Sequence, residues 1–420
     1  MTSTSERAKY RVALALFVAA LLVRIVFLLI FHVYPGFPVE HQGDGEVEHF
    51  ARSLVSQGRF TNPYLPDDSL PSALRTPLPS LLLALLRAIT GGRDPLFHGL
   101  LYGVYMVVSS LTVVAVYRIA SSCLSSRTGL VAGIALVLYP PSIYYATNAV
   151  GDATLVCGCL TLIVAATLHH VQASTFRSAL SLGIITGVSS LVNPNVLSVA
   201  IGLTPWWLSR AGLHNRGRLL VQLLVVIAAT LLTVSPWVVR NRLVFNEWVF
   251  LRSNFGAELR AGNSDGGRTY ISREDFHMSK ADELHLLREL GEPGYDRDCM
   301  KRALTWIAED PLRFALLCAQ RAGVFWGKEV FYGAFPALTI VVIGIPFVFG
   351  VIGAVRAAGA PVVAAPILLP LLFYPLVYYV THAQARFRFP IDVFLLILAA
   401  FAMVALYDVT RARISRGLPD

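Results

Sequence analysis

Long apolar runs constrain this chain more than any other feature of its sequence. They recur along the 420 residues, separated mostly by short polar connections, and about 20 such residues cross a bilayer as one helix. Because lipid offers no hydrogen bonds to the backbone, spanning segments of this kind fold as helices. We therefore predict an all-α polytopic membrane protein with about ten spans, at 11–33, 97–120, 128–147, 151–170, 178–192, 194–209, 218–238, 334–356, 361–381 and 389–408.

Composition agrees with this class and excludes others. Hydrophobic residues make up 55% of the chain and charged residues only 15%, whereas a soluble domain has about 25% charged residues. The net charge of +9 comes mainly from basic residues between the spans, with no nucleic-acid motif, so we expect no nucleic-acid partner. Cys157 and Cys159 point to different faces of a helix, so they do not suggest a metal pair.

The basic residues also predict an orientation. Short cytoplasmic loops of membrane proteins are enriched in Lys and Arg. The first run follows a basic stretch and lacks a small-residue cleavage site, so we expect an uncleaved first span and both termini in the cytoplasm. Two large loops, about 34–96 and 239–333, are then on the outer side. The arginines that fix this arrangement are Arg7, Arg11, Arg118, Arg127, Arg177, Arg210, Arg216, Arg218, Arg356, Arg411, Arg413 and Arg416.

Three further segments are predicted to lie at the membrane interface. Residues 77–90 and 312–326 are apolar but short for a span, and they contain Arg87, Arg313 and Arg321. Residues 44–57 place Val47, Phe50, Ala51, Leu54 and Val55 in one helical stripe.

Two acidic residues stand where the outer loops meet helices. Asp44, in Gly43-Asp44-Gly45, precedes the amphipathic helix, where capping and a functional role are equally compatible with the spacing. Asp152 follows Gly151 in the short second outer loop. An acid at the mouth of a bundle is a functional candidate, although a plain helix cap explains its position slightly better.

Four arginines have positions that call for an anionic partner. Arg75 lies at the interface in Arg75-Thr76-Pro77, where its fork suits a lipid phosphate or simply reaches the head groups. Arg24 lies inside the first span and must face the bundle interior, with a phosphate or an acid as its partner. Arg386 and Arg388 are outside against the charge trend, and as alternate residues of an extended loop only one of them is expected to reach a site.

Taken together, these segments resemble the GT-C superfamily of membrane glycosyltransferases, most closely glycosyltransferase family 39 and its relatives, the protein O-mannosyltransferases and lipid A aminoarabinose transferases. The resemblance covers nearly the whole chain. It rests on Gly43-Asp44, Arg75-Thr76-Pro77, Gly151-Asp152, Pro236-Trp237 with Arg240-Asn241, Gly262-Asn263 and Arg386-Phe387-Arg388-Phe389-Pro390.

The resemblance implies a GT-C fold of three parts: a catalytic module at 1–240, an outer loop with amphipathic helices at 241–333, and C-terminal spans at 334–420. It also implies inverting transfer of a sugar from a polyprenyl-phosphate donor to a lipid, glycan or protein acceptor. The enzyme would act at the outer face of a bacterial inner or plasma membrane.

The family mechanism assigns roles to individual positions. Asp44 would be the general base, and Asp152 would orient the acceptor or join Asp44 at a divalent cation, Mg or Mn. The donor phosphate would be held by Arg75, by Arg386 or Arg388, and by Arg24. Substrate contacts would come from Glu46, His49, Arg240 and Asn263.

Two departures from the family leave the acceptor open. Val192-Asn193-Pro194-Asn195 stands where many members have an Arg-Pro pair, and no large C-terminal soluble domain is expected. Two other functions stay open: a transporter or flippase of lipid-linked sugars, which would favour polar residues along the span interiors, and a catalytically inactive assembly subunit.

Overall fold

The computed structural model describes residues 4–33, 45–65, 67, 69–148, 151–210, 216–267, 269, 276–327 and 344–417. This part of the chain is helical, and its only β contact is a bridge between Thr61 and Pro71. The helices are α1 (Thr4–Val33), α2 (Gly45–Gln57), α3 (Pro77–Thr90), α4 (Asp94–Cys123), α5 (Ser126–Leu138), α6 (Pro140–Thr147), α7 (Ala153–Ala173), α8 (Phe176–Val192), α9 (Val196–Arg210), α10 (Arg216–Phe245), α11 (Phe255–Gly262), α12 (Ala281–Glu309), α13 (Pro311–Trp326), α14 (Ile345–Ala357), α15 (Pro361–Phe373), α16 (Leu376–Val380) and α17 (Ala385–Gly417).

The apolar runs account for these helices, but the number of spans does not follow from the runs alone. Six helical segments of the described chain are long and apolar enough to cross a membrane, and α5 with α6 forms a seventh if that bent pair is one span. The pair bends by 51° where Pro140 and Pro141 follow Tyr139, because proline has no N–H to continue the helix. The predicted run 334–356 is described only from residue 344 onward.

The three segments expected at the interface are all helical. α2 buries Val47, Phe50 and Ala51 of the predicted stripe, whereas Val55 is 53% exposed. α3 begins with Pro77 and ends at Thr90. Gly91 caps it with a φ of 60°, a conformation that favours glycine. α13 begins after Asp310, whose side chain accepts a hydrogen bond from the Arg313 N–H.

One end of the bundle collects the N-terminus and several basic side chains. Lys9 of α1 lines a cavity with Arg118 of α4 and His169 of α7. Arg127 at the start of α5 pairs with Asp408 near the end of α17, 3.2 Å apart. These contacts place Lys9, Arg118 and Arg127 at one end of the bundle.

The two large loops meet at the other end. The Ser253 N–H of the second loop donates to the Ala73 carbonyl of the first at 3.0 Å, and the Thr76 hydroxyl donates to the Val192 carbonyl at the end of α8 at 2.8 Å. The second loop packs tightly: a Cβ on Gly256 would lie 2.0 Å from the Asp296 carbonyl oxygen, and one on Gly262 would lie 1.8 Å from that of Thr381. The described part of this loop therefore packs closely, both within itself and against the residue that follows α16.

Candidate active site

A cavity of about 370 Å³ lies at the end of the bundle where the two large loops meet. Its walls come from five parts of the chain: the start of α3, the α6–α7 connection, the α8–α9 connection, the segment that leads into α11, and the segment around α16 and the start of α17. Its polar lining consists of Arg75, Asp152, Asn193, Asn195, Arg252, Asn254, Glu258, Tyr374, Tyr378, Thr381, His382 and Arg386.

Two of the cavity arginines have donors that nothing in the described chain satisfies. Nη2 of Arg252 and Nε of Arg386 are shielded from solvent and have no hydrogen-bond partner there. Nε of Arg252 donates to the Leu74 carbonyl at 2.8 Å, which fixes the direction of the guanidinium. Burial, and then the positive charge of Arg75, lower the pKa of Arg252. The charges of Glu258, Glu46 and Asp152 oppose this shift. An anion in the cavity would supply the missing acceptors.

Arg75 also lines the cavity, but it has an acid of its own. Its Nε lies 2.5 Å from Glu46 Oε2, and the Tyr64 hydroxyl donates to Glu46 Oε1 at 2.5 Å. Burial raises the pKa of Glu46, but the charge of Arg75 and the hydrogen bond from Tyr64 outweigh it and hold the pKa at about 2. Glu46, a predicted substrate contact, therefore stands behind Arg75 and is not part of the cavity lining.

Asp152 is in the cavity wall at the start of α7. Its side chain makes no capping hydrogen bond to the helix, and Oδ2 instead accepts from the Asn193 amide at 2.8 Å. Gly151 turns the chain into this position with a φ of 55°. Asn193, at the departure from the family's Arg-Pro pair, thus contacts the predicted acid.

An acid–imidazole pair that the sequence did not predict lies in the cavity wall. His382 Nδ1 lies 3.4 Å from Glu258 Oε2, and the Asn254 amide donates to Glu258 Oε1 at 3.0 Å. Burial lowers the pKa of His382 against the opposing effect of Glu258. The only signal in the sequence was that Glu258 and His382 lie close to two stretches already singled out, Gly262-Asn263 and Arg386-Phe387-Arg388-Phe389-Pro390.

Arg388 and Arg24 are committed elsewhere. Arg388 pairs with Asp392 at 2.8 Å, and Asp392 also accepts from the Tyr139 hydroxyl at 2.7 Å. Arg386 and Arg388 lie in the first turn of α17 and not in an extended loop, so helical geometry sends them to different faces. Arg24 is 0% exposed.

The partners of Arg24 differ from those expected. Its guanidinium donates to the hydroxyls of Ser109 and Ser142 at 2.9 and 2.8 Å, and to the Ala20 carbonyl at 3.0 Å. The interior position agrees with the sequence argument. The partners are neutral, however, where a phosphate or an acid was expected, and Arg24 does not line the cavity.

The remaining predicted contacts support the walls of the site. His49 lies 3.0 Å from the Thr61 hydroxyl, and Arg240 donates to the Ser72 carbonyl at 2.9 Å. The Asn263 amide donates to the Val380 carbonyl at 2.8 Å, and its Oδ1 accepts from Arg321 at 3.1 Å. None of the three lines the cavity.

Of the predicted base and the predicted metal pair, only Asp152 belongs to the described residues. Asp44 lies outside the described residues. The described residues bring together no group of three or more His, Cys, Asp or Glu side chains that fits a metal ion. Asp152 is the described half of the predicted pair and offers one carboxylate to the cavity.

Comparison with known proteins identifies the fold. No protein-family model matches the sequence, and no curated protein matches it. The archaeal oligosaccharyltransferase AglB from Archaeoglobus fulgidus, in complex with an inhibitory peptide and a dolichol-phosphate, aligns with a TM-score of 0.55 and 14% identity over 100% of this chain and 53% of that one. Its apo form gives 0.57 and 14% identity over 96% and 52%. A lower score, 0.40 at 14% identity, relates 97% of the chain to 81% of ArnT from Cupriavidus metallidurans bound to undecaprenyl phosphate.

The two likenesses with TM-scores of 0.55 and 0.57 confirm the fold class predicted from the sequence. The chain spans about half the length of AglB, and it has the all-helical GT-C fold of a polytopic membrane protein.

Proposed function

We propose that this protein is a membrane glycosyltransferase that transfers a sugar from a polyprenyl-phosphate donor to an acceptor hydroxyl. The observation that carries the proposal is the pair of solvent-shielded, unsatisfied guanidinium groups of Arg252 and Arg386 in a cavity of a GT-C fold. AglB and ArnT have been solved with dolichol-phosphate and undecaprenyl phosphate, respectively. A lipid phosphate is the anion that a cavity at the end of a membrane bundle meets.

The three cavity arginines differ in the partners that they already have. Arg252 and Arg386 approach the phosphate with unsatisfied donors, and Arg75 contributes a charge that Glu46 already partly neutralises. The sequence-based expectation placed Arg75 and either Arg386 or Arg388 at the phosphate. Because Arg388 is paired with Asp392, Arg252 takes its place in this proposal.

The reaction is a substitution at the anomeric carbon. The acceptor oxygen forms a bond to that carbon as the bond to the phosphate oxygen breaks, and the phosphate leaves with the electron pair. Charge grows on the leaving phosphate, which the arginines stabilise. Attack from the face opposite the phosphate inverts the configuration.

Asp44 takes the acceptor proton in this proposal, as the family resemblance implies. Asp152, held by Asn193, orients the acceptor from the wall of the cavity. If a divalent cation binds, Asp152 is a described ligand for it, and the cation would add positive charge beside the phosphate.

The proposed active site is on the non-cytoplasmic face. The cavity lies at the opposite end of the bundle from the basic residues Lys9, Arg118 and Arg127. Basic connections are characteristic of the cytoplasmic side.

Binding of undecaprenyl phosphate to the purified protein in nanodiscs tests the donor assignment. We expect tight binding of the phosphate and much weaker binding of undecaprenol, which has the same tail without the charge. Equal binding of the two would refute a phosphate site. Mass spectrometry of lipids and surface glycans from cells with and without the gene then tests transfer; translocation of the lipid-linked sugar with no new glycan would indicate a flippase instead.

A further inference from the structure

Two short chain segments carry cavity arginines, and they are joined to each other. Residues 72–75 end in Arg75, and residues 251–254 contain Arg252. The Ser253 N–H donates to the Ala73 carbonyl at 3.0 Å, and Arg252 Nε donates to the Leu74 carbonyl at 2.8 Å. The relative position of the two guanidinium groups therefore depends on this joint.

A single buried carboxylate, that of Glu292, holds the joint from behind. Oε1 accepts from the Ala73 N–H at 2.6 Å and from the Ser253 hydroxyl at 2.5 Å. Oε2 accepts from the Asn62 amide at 2.8 Å. Glu292 is 2% exposed, and it directly follows the kink of α12 at Gly291, whose φ is 70°.

We infer that Glu292 is a positioning residue that sets the geometry of Arg75 and Arg252 at the donor phosphate. The assignment rests on the proposed function. Glu292 is absent from the cavity lining, so its influence on a bound phosphate passes through the two segments that it links.

The chemistry of the carboxylate supports a geometric role. Burying an ionised group is costly unless donors compensate, and burial does raise the pKa of Glu292. In return, its two oxygens accept from Asn62, Ala73 and Ser253, and a side-chain hydrogen bond from Ser72 adds to these. No neutral side chain offers two acceptor atoms with no donor between them.

Glu292→Gln breaks this pattern at nearly constant size. If the amide oxygen replaces Oε1, the NH₂ group faces the Asn62 amide, donor against donor. Asn62 gains little by flipping, because its Oδ1 already accepts from the Tyr64 N–H at 3.0 Å. Asn62 must therefore move, and its N–H bond to the Leu70 carbonyl at 2.9 Å passes the shift toward segment 72–75. If the amide turns over instead, its NH₂ group faces the Ala73 N–H and displaces that segment directly.

The test compares Glu292→Gln with Glu283→Gln in the full-length protein in nanodiscs. Glu283 is a second acid of α12 with partners of its own: it accepts from Arg260 and Tyr295 and touches neither arginine-bearing segment. The matched substitution thus disturbs the same loop without disturbing the joint. Melting temperature and the Kd for undecaprenyl phosphate are measured for both variants.

We expect Glu292→Gln to weaken binding about tenfold, equivalent to about 1.4 kcal/mol, and Glu283→Gln to bind as wild type does. In an Arg252→Ala background, Glu292→Gln should add less than about a twofold loss, because residues that act through one another are not additive. If Glu292 had a purely structural role, both substitutions would lower the melting temperature and neither would change the Kd for undecaprenyl phosphate.

Ser253→Ala serves if Glu292→Gln does not fold. It removes one donor and keeps the carboxylate, and we expect a smaller loss of binding that is again reduced without Arg252. Normal binding by these variants, or losses that add fully to that of Arg252→Ala, would overturn the role of Glu292 alone. Failure of the wild type to bind undecaprenyl phosphate would overturn the proposed function, and this role with it.

Discussion

Replacing Arg252 tests the part of the site that was found only in the structure. Arg252→Ala removes the unsatisfied Nη2 donor from the cavity and the Nε bond to the Leu74 carbonyl. Arg252→Lys keeps the charge but not the fork, so it should restore binding only in part.

The magnitude follows from the contacts. A hydrogen bond to a charged group contributes about 1.5–3 kcal/mol, so losing the phosphate contact should raise the Kd for undecaprenyl phosphate about 10- to 150-fold. The vacated Leu74 carbonyl is neutral, and its lost bond should lower folding stability by about 1 kcal/mol. Because charge grows on the leaving phosphate, kcat should fall together with affinity.

The assay is equilibrium binding of undecaprenyl phosphate in nanodiscs, with undecaprenol as the uncharged comparison and Arg302→Ala as the control variant. Arg302 is in the same outer loop, pairs with Asp298, and does not line the cavity. Arg302→Ala should bind as wild type does. If Arg252→Ala bound the phosphate normally, or lost phosphate and alcohol binding equally, an electrostatic role of Arg252 would be refuted.

Four further outcomes are expected. Asp44→Asn should abolish transfer while leaving donor binding intact, since it keeps size and capping ability but removes the base; near-normal turnover in an activity assay would refute this. Arg386→Ala should raise the Kd for undecaprenyl phosphate, whereas Arg388→Ala should mainly lower the melting temperature because it leaves Asp392 buried without its cation; the reverse pattern in paired binding and melting measurements would contradict the assignment. The pKa of Glu46 is lowered in the folded state from 4.5 to about 2, so its contribution to stability is present above pH 4.5 and is lost as the pH falls towards 2; the difference in melting temperature between wild type and Glu46→Gln should therefore shrink from pH 5 to pH 3. A cysteine at position 214, on a cysteine-free background, should resist a membrane-impermeant label in intact cells, and labelling from outside would invert the orientation.

Periodicity predicted the helices because a helix is a local structure that a run of residues specifies by itself. It did not predict which runs span as single helices, since Pro140 breaks one of them by an angle that depends on packing. The interfacial stripe of α2 was readable, because Val47, Phe50 and Ala51 share one helical face.

The roles of the arginines were not readable in the same way. Arg75, Arg386 and Arg388 have the same charge and similar surroundings in sequence, and only the fold shows that acids attend two of them. The spacing of Arg388 and Asp392, four residues apart, does suggest an ion pair once α17 is known to start at Ala385. Arg252, Glu258 and His382 come from segments without periodicity, and their meeting depends on long-range packing.

The walls of the cavity are separated by most of the length of the chain, and this has a consequence for biosynthesis. Ribosomes deliver Arg75 and Asp152 early, Arg252 later, and Tyr378, His382 and Arg386 last. A nascent chain that has inserted everything up to α14 still lacks one side of this cavity. The cavity therefore closes only when α16 and α17 join the bundle, and their insertion is the step that completes it.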